Sequence, residues 1–183
     1  MIYIIIAAII IFIILAFLIF YYYKADNTMI EFTKKINDSY EQINSEMHKR
    51  AETVKTLIEH IMPSIIENTD LDLTVQNLKK AMDSYFIAGT RDYQIKAQNE
   101  ITKHMNELII LLDKSYNTLI DNNIRSLVEE IKKSEEKITF SKNIFNSLVQ
   151  NYNAYISKFL NKRVAKTFKY TPMKKLGDEN EKL

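Results

Sequence analysis

The side chains whose chemistry could operate near neutral pH are three histidines, and the chain has no cysteine to act as a nucleophile or a thiolate ligand. Zinc and di-metal sites on helices place their ligands on one face through Glu-x-x-His or His-x-x-x-His spacings, and His48, His60 and His104 lie in none of these. His104 follows Glu100 by four residues, which predicts a surface pair. No phosphate-binding loop and no Gly-x-Ser-x-Gly turn occurs. The sequence therefore predicts a protein that is not an enzyme and binds no metal or cofactor.

Two asparagines in an aromatic stripe form a second pattern of polar residues. Asn146 follows Phe145 and Asn153 follows Tyr152, so the two pairs are seven residues apart and lie on the same face of a helix. An asparagine at the rim of a helical core can hydrogen bond to a neighbouring helix and set its register. We expect this role for Asn146 and Asn153, with ligand binding as the alternative.

A basic segment near the carboxyl end predicts contact with something anionic. Residues 137 to 177 contain nine lysines and arginines and no acidic residue. Val164 and Phe168 are four residues apart, as in an interfacial helix on anionic lipid. The alternative is that these two residues close the end of the helical core. Nucleic acid is the least favoured partner because a membrane-tethered site has poor access to it. The basic residues of this membrane-surface segment are Lys158, Lys162, Arg163, Lys166, Lys169, Lys174 and Lys175.

The amino-terminal residues predict a membrane anchor. The stretch from Ile2 to Phe20 is uninterrupted apolar sequence, and a helix needs roughly 20 such residues to cross the hydrocarbon layer. The rival interpretation, a signal peptide, requires a basic n-region and a small-residue cleavage site, which are absent. Lys24, Lys34 and Lys35 follow the apolar stretch, so the positive-inside rule places the rest of the chain in the cytoplasm. We expect a single-pass protein of the cell membrane.

The remaining residues predict an all-α domain. With only two glycines and two prolines in 183 residues, a turn-rich β fold is disfavoured. Apolar residues at three- and four-residue steps predict four helices, and short connections favour an antiparallel four-helix up-and-down bundle. Helix one begins near residue 27 and could continue from the membrane span, and Gly89 is expected to be a left-handed cap after helix two. A three-helix arrangement with helices two and three merged is the alternative. The predicted regions are an anchor at 1–23, the bundle at 24–170 and a disordered tail at 171–183.

Two motifs in the last helical segment resemble the LemA family of bacterial membrane proteins. The stretch FNSLVQNYNAYISKF, residues 145–159, is similar to the repeated Tyr-Asn pattern of the family, and VAKTFKYTP is similar to its Ile-Ala-Lys-x-Phe-x-Phe-x-Pro ending. The resemblance implies a single-pass membrane protein with a four-helix bundle and no established catalytic activity. Leu160-Asn161 replaces a Pro-Gly that would end helix four, and this departure predicts a longer helix four.

Arg50 occupies a core-facing position in helix one, where an unpaired charge would be costly. It lies 26 residues beyond Lys24, roughly 39 Å from the membrane. The same count back from Leu160 on a returning helix reaches Ser134, next to Glu135. The resemblance also implies an acid at the position of Glu135. We expect a buried ion pair between Arg50 and Glu135, the alternative being an arginine whose head group extends to water.

Two functions are compatible with these features. The first is a membrane-anchored scaffold that binds an unidentified protein partner, such as another membrane protein. The second is a bundle that binds a lipid or small ligand between its helices. An exposed apolar surface would favour the first function, and an accessible apolar pocket the second.

Overall fold

The computed structural model describes residues 1–65, 69–115 and 122–177, and every regular element in these ranges is an α-helix. This confirms the predicted all-α class. The described chain divides into two compact units: residues 1–39 with the described residues from 144 onward form unit 1, and residues 40–143 form unit 2. The helices are α1 (Ile2–Ile65), α2 (Thr69–Ile87), α3 (Arg91–Ser115), α4 (Asn122–Ser157) and α5 (Phe159–Thr167).

Helix α1 is continuous through the apolar segment and the amphipathic stripe that follows. No glycine occurs within it, and Pro63 lies in its last turn, where few further backbone hydrogen bonds are lost. Residues 2–20 are all exposed, whereas Ala25, Met29 and Ile36 are buried. The same helix therefore changes from a fully exposed apolar surface to a one-sided buried face within about two turns.

Unit 2 is built around the apolar faces of four helical segments. Helices α2 and α3 pack against each other, and the portions of α1 and α4 in this unit contribute buried residues at helical spacing. The buried side chains include Ile43, Met47, Val54, Leu57, Leu78, Met82, Ile101, Leu108, Ile131 and Ile138.

The connection between α2 and α3 does not contain the left-handed glycine cap that the sequence predicted. Helix α2 ends at Ile87, and the three-residue segment before Arg91 separates it from α3, so the two helices are not merged. Thr90 precedes the first residue of α3, and its Oγ1 accepts a hydrogen bond from the backbone N–H of Tyr93 at 3.4 Å. Gly89 does not have a positive φ angle, so the prediction of a left-handed cap there was wrong. The Thr90 cap starts α3 without requiring a left-handed residue.

The boundary between α4 and α5 also corrects a prediction. Helix four is not lengthened: it ends at Ser157, Lys158 is extended with φ −62° and ψ 142°, and α5 begins at Phe159. The buried side chain of Asn161 donates from Nδ2 to the backbone oxygen of Tyr155 at 3.0 Å. This bond gives a second donor to a carbonyl at the end of α4 that also accepts the backbone N–H of Lys158, at 3.3 Å. Asn161 therefore stabilises the break without the proline and glycine that the sequence lacks there.

Helix α5 ends in a Schellman motif with a lysine in the left-handed position. Lys169 has a φ of 61°, and the N–H of Tyr170 donates to the oxygen of Ala165 at 2.9 Å, which is the long backbone bond of this motif. The N–H of Phe168 makes the last α-helical bond, to the oxygen of Val164 at 3.0 Å. The chain then runs back along α4 as residues 171–177, which we call the strap; residues 171–175 have no regular structure and residues 176–177 form a turn. The strap is ordered by hydrogen bonds, in contrast to the disorder predicted from residue 171, and residues 178–183 lie outside the described chain.

Replacing the left-handed lysine should stabilise the protein. A non-glycine residue in this conformation costs about 1–2 kcal/mol, so Lys169→Gly should raise the free energy of unfolding by about 1 kcal/mol after the larger unfolded-state entropy of glycine is included. Thermal unfolding of the full chain in detergent micelles, followed by circular dichroism, measures the change. The matched control Lys166→Gly replaces a helical lysine of α5 and should destabilise by about 1 kcal/mol. A similar loss for both variants would contradict this assignment.

Candidate functional site

The principal polar cluster of unit 2 surrounds Arg50. Helix α1 carries this arginine in its buried face, where the residue is 2% exposed. Its Nη1 contacts the Oε2 of Glu135 on α4 and donates to the Oγ1 of Thr102 on α3 at 3.0 Å. Its Nη2 donates to the backbone oxygen of Gln98 at 3.1 Å and to the side-chain oxygen of the same residue. The structure therefore brings together the two residues that the sequence predicted as an ion pair.

Two members of this cluster were missed by the sequence analysis. Gln98 is 1% exposed, and its Nε2 donates to the backbone oxygen of Met47 at 3.3 Å. The Thr102 hydroxyl lies 3.1 Å from the Oε2 of Glu135, so it contacts both charged partners. The burial of Gln98 could have been predicted from the sequence, because this residue lies three positions from both Ile95 and Ile101 in the apolar stripe of α3.

The arginine keeps its charge despite its burial. Burial lowers the pKa of Arg50 to about 10, which leaves it protonated at neutral pH. Its Nε has no hydrogen-bond partner among the described residues, whereas the Glu135 side chain is 35% exposed. Burial and, to a smaller extent, repulsion from Arg50 lower the pKa of Lys142. The cluster is therefore a buried cation neutralised by a carboxylate that water can still reach.

A small cavity lies beside this cluster, between α3 and α4. Its volume is about 250 Å³, and its lining combines Arg50 and Glu135 with the apolar side chains of Ile101 and Met105. A second cavity of about 290 Å³ extends toward Ile124 and is edged by charged residues. The described residues hold no cluster of three His, Asp or Glu side chains with the geometry of a metal site.

The three histidines belong to separate environments. His104 lies between Glu100, at 3.6 Å, and Glu107, at 2.8 Å, so the predicted surface pair has a second carboxylate that was missed. The Nδ1 of His60 lies 2.9 Å from the backbone oxygen of Thr56. His48 lies edge-on to an aromatic ring of α2.

Helix α5 lies beside the end of the apolar segment of α1. The Tyr21 hydroxyl donates to the Oδ1 of Asn161, and the Tyr170 hydroxyl donates to the Oδ1 of Asp26 at 2.8 Å. Burial, followed by the hydrogen bond and negative charge of Asp26, raises the pKa of Tyr170 to about 12. The two contacts bring both ends of α5 to residues 21–26, immediately after the apolar segment.

The basic side chains of this region are accessible, but the predicted apolar pair is divided. Phe168 is 48% exposed, whereas Val164 is fully buried and unavailable to lipid. Their expected joint role as an interfacial surface is therefore wrong for Val164, because this side of α5 faces the interior of unit 1. All the predicted basic residues are exposed except Lys175, which is half-buried; the exposed ones are Lys158, Lys162, Arg163, Lys166, Lys169 and Lys174.

Comparison with known families identifies the chain. A model of the LemA family matches residues 39–182, more than half of the chain. The chain belongs to the LemA family. This confirms the resemblance seen in its motifs, and the matched region includes the Arg50 cluster, α5 and the strap. No curated protein matches this LemA chain.

Among the described residues, the side-chain hydrogen bonds of the paired asparagines of the LemA chain go to the strap. The Nδ2 of Asn153 donates to the oxygen of Met173 at 2.8 Å, and its Oδ1 accepts from the N–H of Met173 at 2.9 Å. Asn146 forms the same two bonds with Leu176, at 3.2 and 2.8 Å. The Tyr152 hydroxyl donates to the oxygen of Thr171 at 3.0 Å. The predicted role in helix register is thus replaced by recognition of an extended backbone.

Removing either charge of the Arg50 cluster should destabilise the protein, but unequally. Glu135→Gln leaves a buried guanidinium without its counter-ion and should cost about 3 kcal/mol. Arg50→Met leaves a carboxylate that is already one-third exposed and can be hydrated, so its cost should be about 1–2 kcal/mol. Chemical denaturation of the full chain in micelles measures both free energies of unfolding.

The double variant gives the coupling between the two residues. If the contact is energetically significant, Arg50→Met with Glu135→Gln should cost less than the sum of the single variants by at least about 1 kcal/mol. Lys49→Met with Glu130→Gln is the matched control, since this pair is solvent exposed with a nitrogen-to-oxygen distance of 3.2 Å and should show little coupling. If the losses in free energy of unfolding at Arg50 and Glu135 simply add, the ion pair makes no significant contribution to stability and this prediction is wrong.

Proposed function

We propose that this LemA protein is a membrane-anchored, non-catalytic helical scaffold that binds a protein partner. The anchor is the first part of α1, which by length and composition is the one described helix able to cross a membrane. Its apolar residues are exposed along the whole segment, as expected for side chains that face lipid. Because α1 continues into the domain, the scaffold begins without a flexible linker.

The scaffold itself is proposed to be the antiparallel up-and-down bundle. Several contacts within unit 2 support this arrangement. Arg50 of α1 contacts both Gln98 of α3 and Glu135 of α4, and the Tyr85 hydroxyl of α2 lies 3.4 Å from the Oδ1 of Asn44 on α1. Since α2 and α3 are joined by a three-residue connection, they pack as antiparallel neighbours.

The observation that carries the partner-binding function is an exposed apolar surface at the turn between α2 and α3. Phe86, Ile87 and Tyr93 are 45%, 82% and 67% exposed. Three large apolar side chains within eight residues are unusual on a solvent-facing turn, and clustered exposed apolar residues mark sites of protein interaction. Aromatic side chains are also the residue type most often found at the centre of interfaces.

The cavities favour ligand binding less. Ligand pockets generally occupy about 300–1,000 Å³ and are mostly apolar. The cavities of about 250 and 290 Å³ in unit 2 are at or below this range. Their linings also carry charged residues, including Arg50, Lys132 and Glu135. A lipid chain would find little continuous apolar surface there, so we retain partner binding as the proposed function.

The bundle is proposed to lie in the cytoplasm, with the basic face of α5 beside the anionic inner leaflet. Lys24, Lys34 and Lys35 follow the span, and positive residues are retained on the cytoplasmic side. A fluorescent protein fused after Leu183 should therefore be bright, and alkaline phosphatase at the same position should be inactive. Active phosphatase without fluorescence would place the bundle outside and remove the proposed lipid contact.

The partner surface can be tested by photo-crosslinking in intact membranes. A photoreactive phenylalanine analogue in place of Tyr93 should give an adduct of discrete mass. Ile87→Lys in the same chain should weaken that adduct strongly, because loss of a central interface residue costs about 2 kcal/mol, roughly 30-fold in affinity. The control analogue replaces Lys103, an exposed residue on another face of α3. Equal adducts at both positions, or no effect of Ile87→Lys, would contradict this surface.

A further inference from the structure

The strap is held to α4 through its backbone. Five hydrogen bonds join α4 side chains to backbone groups of Thr171, Met173 and Leu176, and all come from Tyr152, Asn153 and Asn146. The carboxamide of an asparagine offers one acceptor and two donors, so it can bond both the N–H and the C=O of one residue. This set of contacts does not require particular side chains in the strap.

The spacing of the two asparagines matches an extended peptide. Seven residues along a helix cover about 10.5 Å at 1.5 Å per residue. Met173 and Leu176 are three residues apart, and an extended chain covers about 10 Å over that distance. Asn153 contacts the earlier strap residue and Asn146 the later one, so strap and helix run in opposite directions. Asn146 and Asn153, seven residues apart on α4, can therefore each bond the backbone of an extended chain. We call this pair of binding positions the Asn146–Asn153 track.

The charge around this track does not suit the strap well. Residues 24–39 and 144–183, the part of unit 1 that follows the apolar segment, contain eleven basic and six acidic residues, which gives a net charge of +5. Two of these basic residues, Lys174 and Lys175, belong to the strap itself, and among the described residues the Nζ of Lys175 contacts the neutral side chain of Gln150, at 3.5 Å. An extended segment with acidic residues at these two positions would be attracted to the basic surface, whereas the two lysines of the strap are not.

We propose that the Asn146–Asn153 track is a binding site for an acidic, extended segment of another protein, and that the strap fills it when this segment is absent. The strap thus acts as an internal competitor whose local concentration is high because it is part of the same chain. The Schellman motif at Lys169 lies between α5 and the strap, so the strap can leave while α5 remains folded. This site does not depend on the partner surface proposed at the turn between α2 and α3.

Peptide binding to the protein in detergent micelles tests the proposal. The probes are fluorescent peptides with the strap sequence Thr-Pro-Met-Lys-Lys-Leu-Gly and with both lysines replaced by glutamate. Fluorescence anisotropy should show that the acidic peptide binds a chain ending at Tyr170 at least about tenfold more tightly than the strap peptide at low salt. Near 1 M salt, where the Debye length is about 3 Å, this difference should largely disappear. The full chain should bind the acidic peptide more weakly than the shortened chain, because its strap competes.

Matched variants distinguish peptide binding at the track from non-specific electrostatic binding to the basic surface. In the shortened chain, Asn146→Leu with Asn153→Leu should reduce binding at least about tenfold. Asn151→Leu replaces an exposed asparagine of α4 and should leave binding unchanged. Equal binding by the two variants, or no binding of either peptide to the shortened chain, would overturn the site. Tighter binding of the strap peptide would overturn the acidic partner and indicate the strap of a second copy.

Hydrogen exchange on the full chain supplies a measurement that needs no substitution. The N–H groups of Met173 and Leu176 donate to the two asparagines, so their exchange should be slow in the free protein. Saturating acidic peptide should accelerate exchange at these two amides by at least about tenfold as the strap is displaced, while amides in the core of α4 stay protected. Unchanged protection with peptide bound would show that the peptide binds elsewhere.

Discussion

The burial of one guanidinium group is the constraint on which unit 2 depends. A charge removed from water is tolerated only with a counter-ion and hydrogen-bond acceptors at close range. Arg50 obtains these from two other helices, with Gln98 and Thr102 on α3 and Glu135 on α4. Apolar side chains would tolerate sliding of one helix past another by part of a turn, but these directed contacts do not. The cluster therefore specifies the relative heights of three helices, in addition to any effect on stability.

Side-chain amides perform a related task in unit 1. Asn161 takes up a backbone carbonyl at the end of α4, and Asn146 and Asn153 bond the backbone of the strap. In each case an asparagine replaces a partner that regular secondary structure would otherwise provide. This use explains how a chain with two glycines and two prolines can change direction twice after residue 157. Turns made in this way depend on distant side chains more than on local backbone propensity.

The features that follow from the spacing of apolar residues were predicted correctly from the sequence. The features that depend on contacts with the strap or with other distant parts of the chain were not. The all-α class and approximate helix positions follow from apolar spacing, and counting along two helices led to Arg50 and Glu135. The break after Ser157 and the role of Asn146 and Asn153 were missed, and the burial of Val164 was predicted only as the alternative to a lipid-facing position. Asn146 and Asn153 bond strap residues 30 and 20 positions away, and Asn161, which stabilises the break, also contacts the distant Tyr21. Spacing within one helix does not reveal such contacts. Gly89 was misassigned because a neighbouring threonine cap serves instead.

The continuity of α1 has a mechanical consequence for the proposed membrane anchor. Neither glycine nor proline interrupts the helix between the apolar segment and Pro63, so it contains no hinge of the usual kind at the membrane surface. A span that is too long for its bilayer accommodates the mismatch by tilting. In the proposed membrane span, a tilt of the apolar segment would be transmitted as a rotation of residues 24–39, and the hydrogen bonds of Tyr21 and Asp26 would move α5 with them. Unit 1 would then convert bilayer thickness into the orientation of its basic surface.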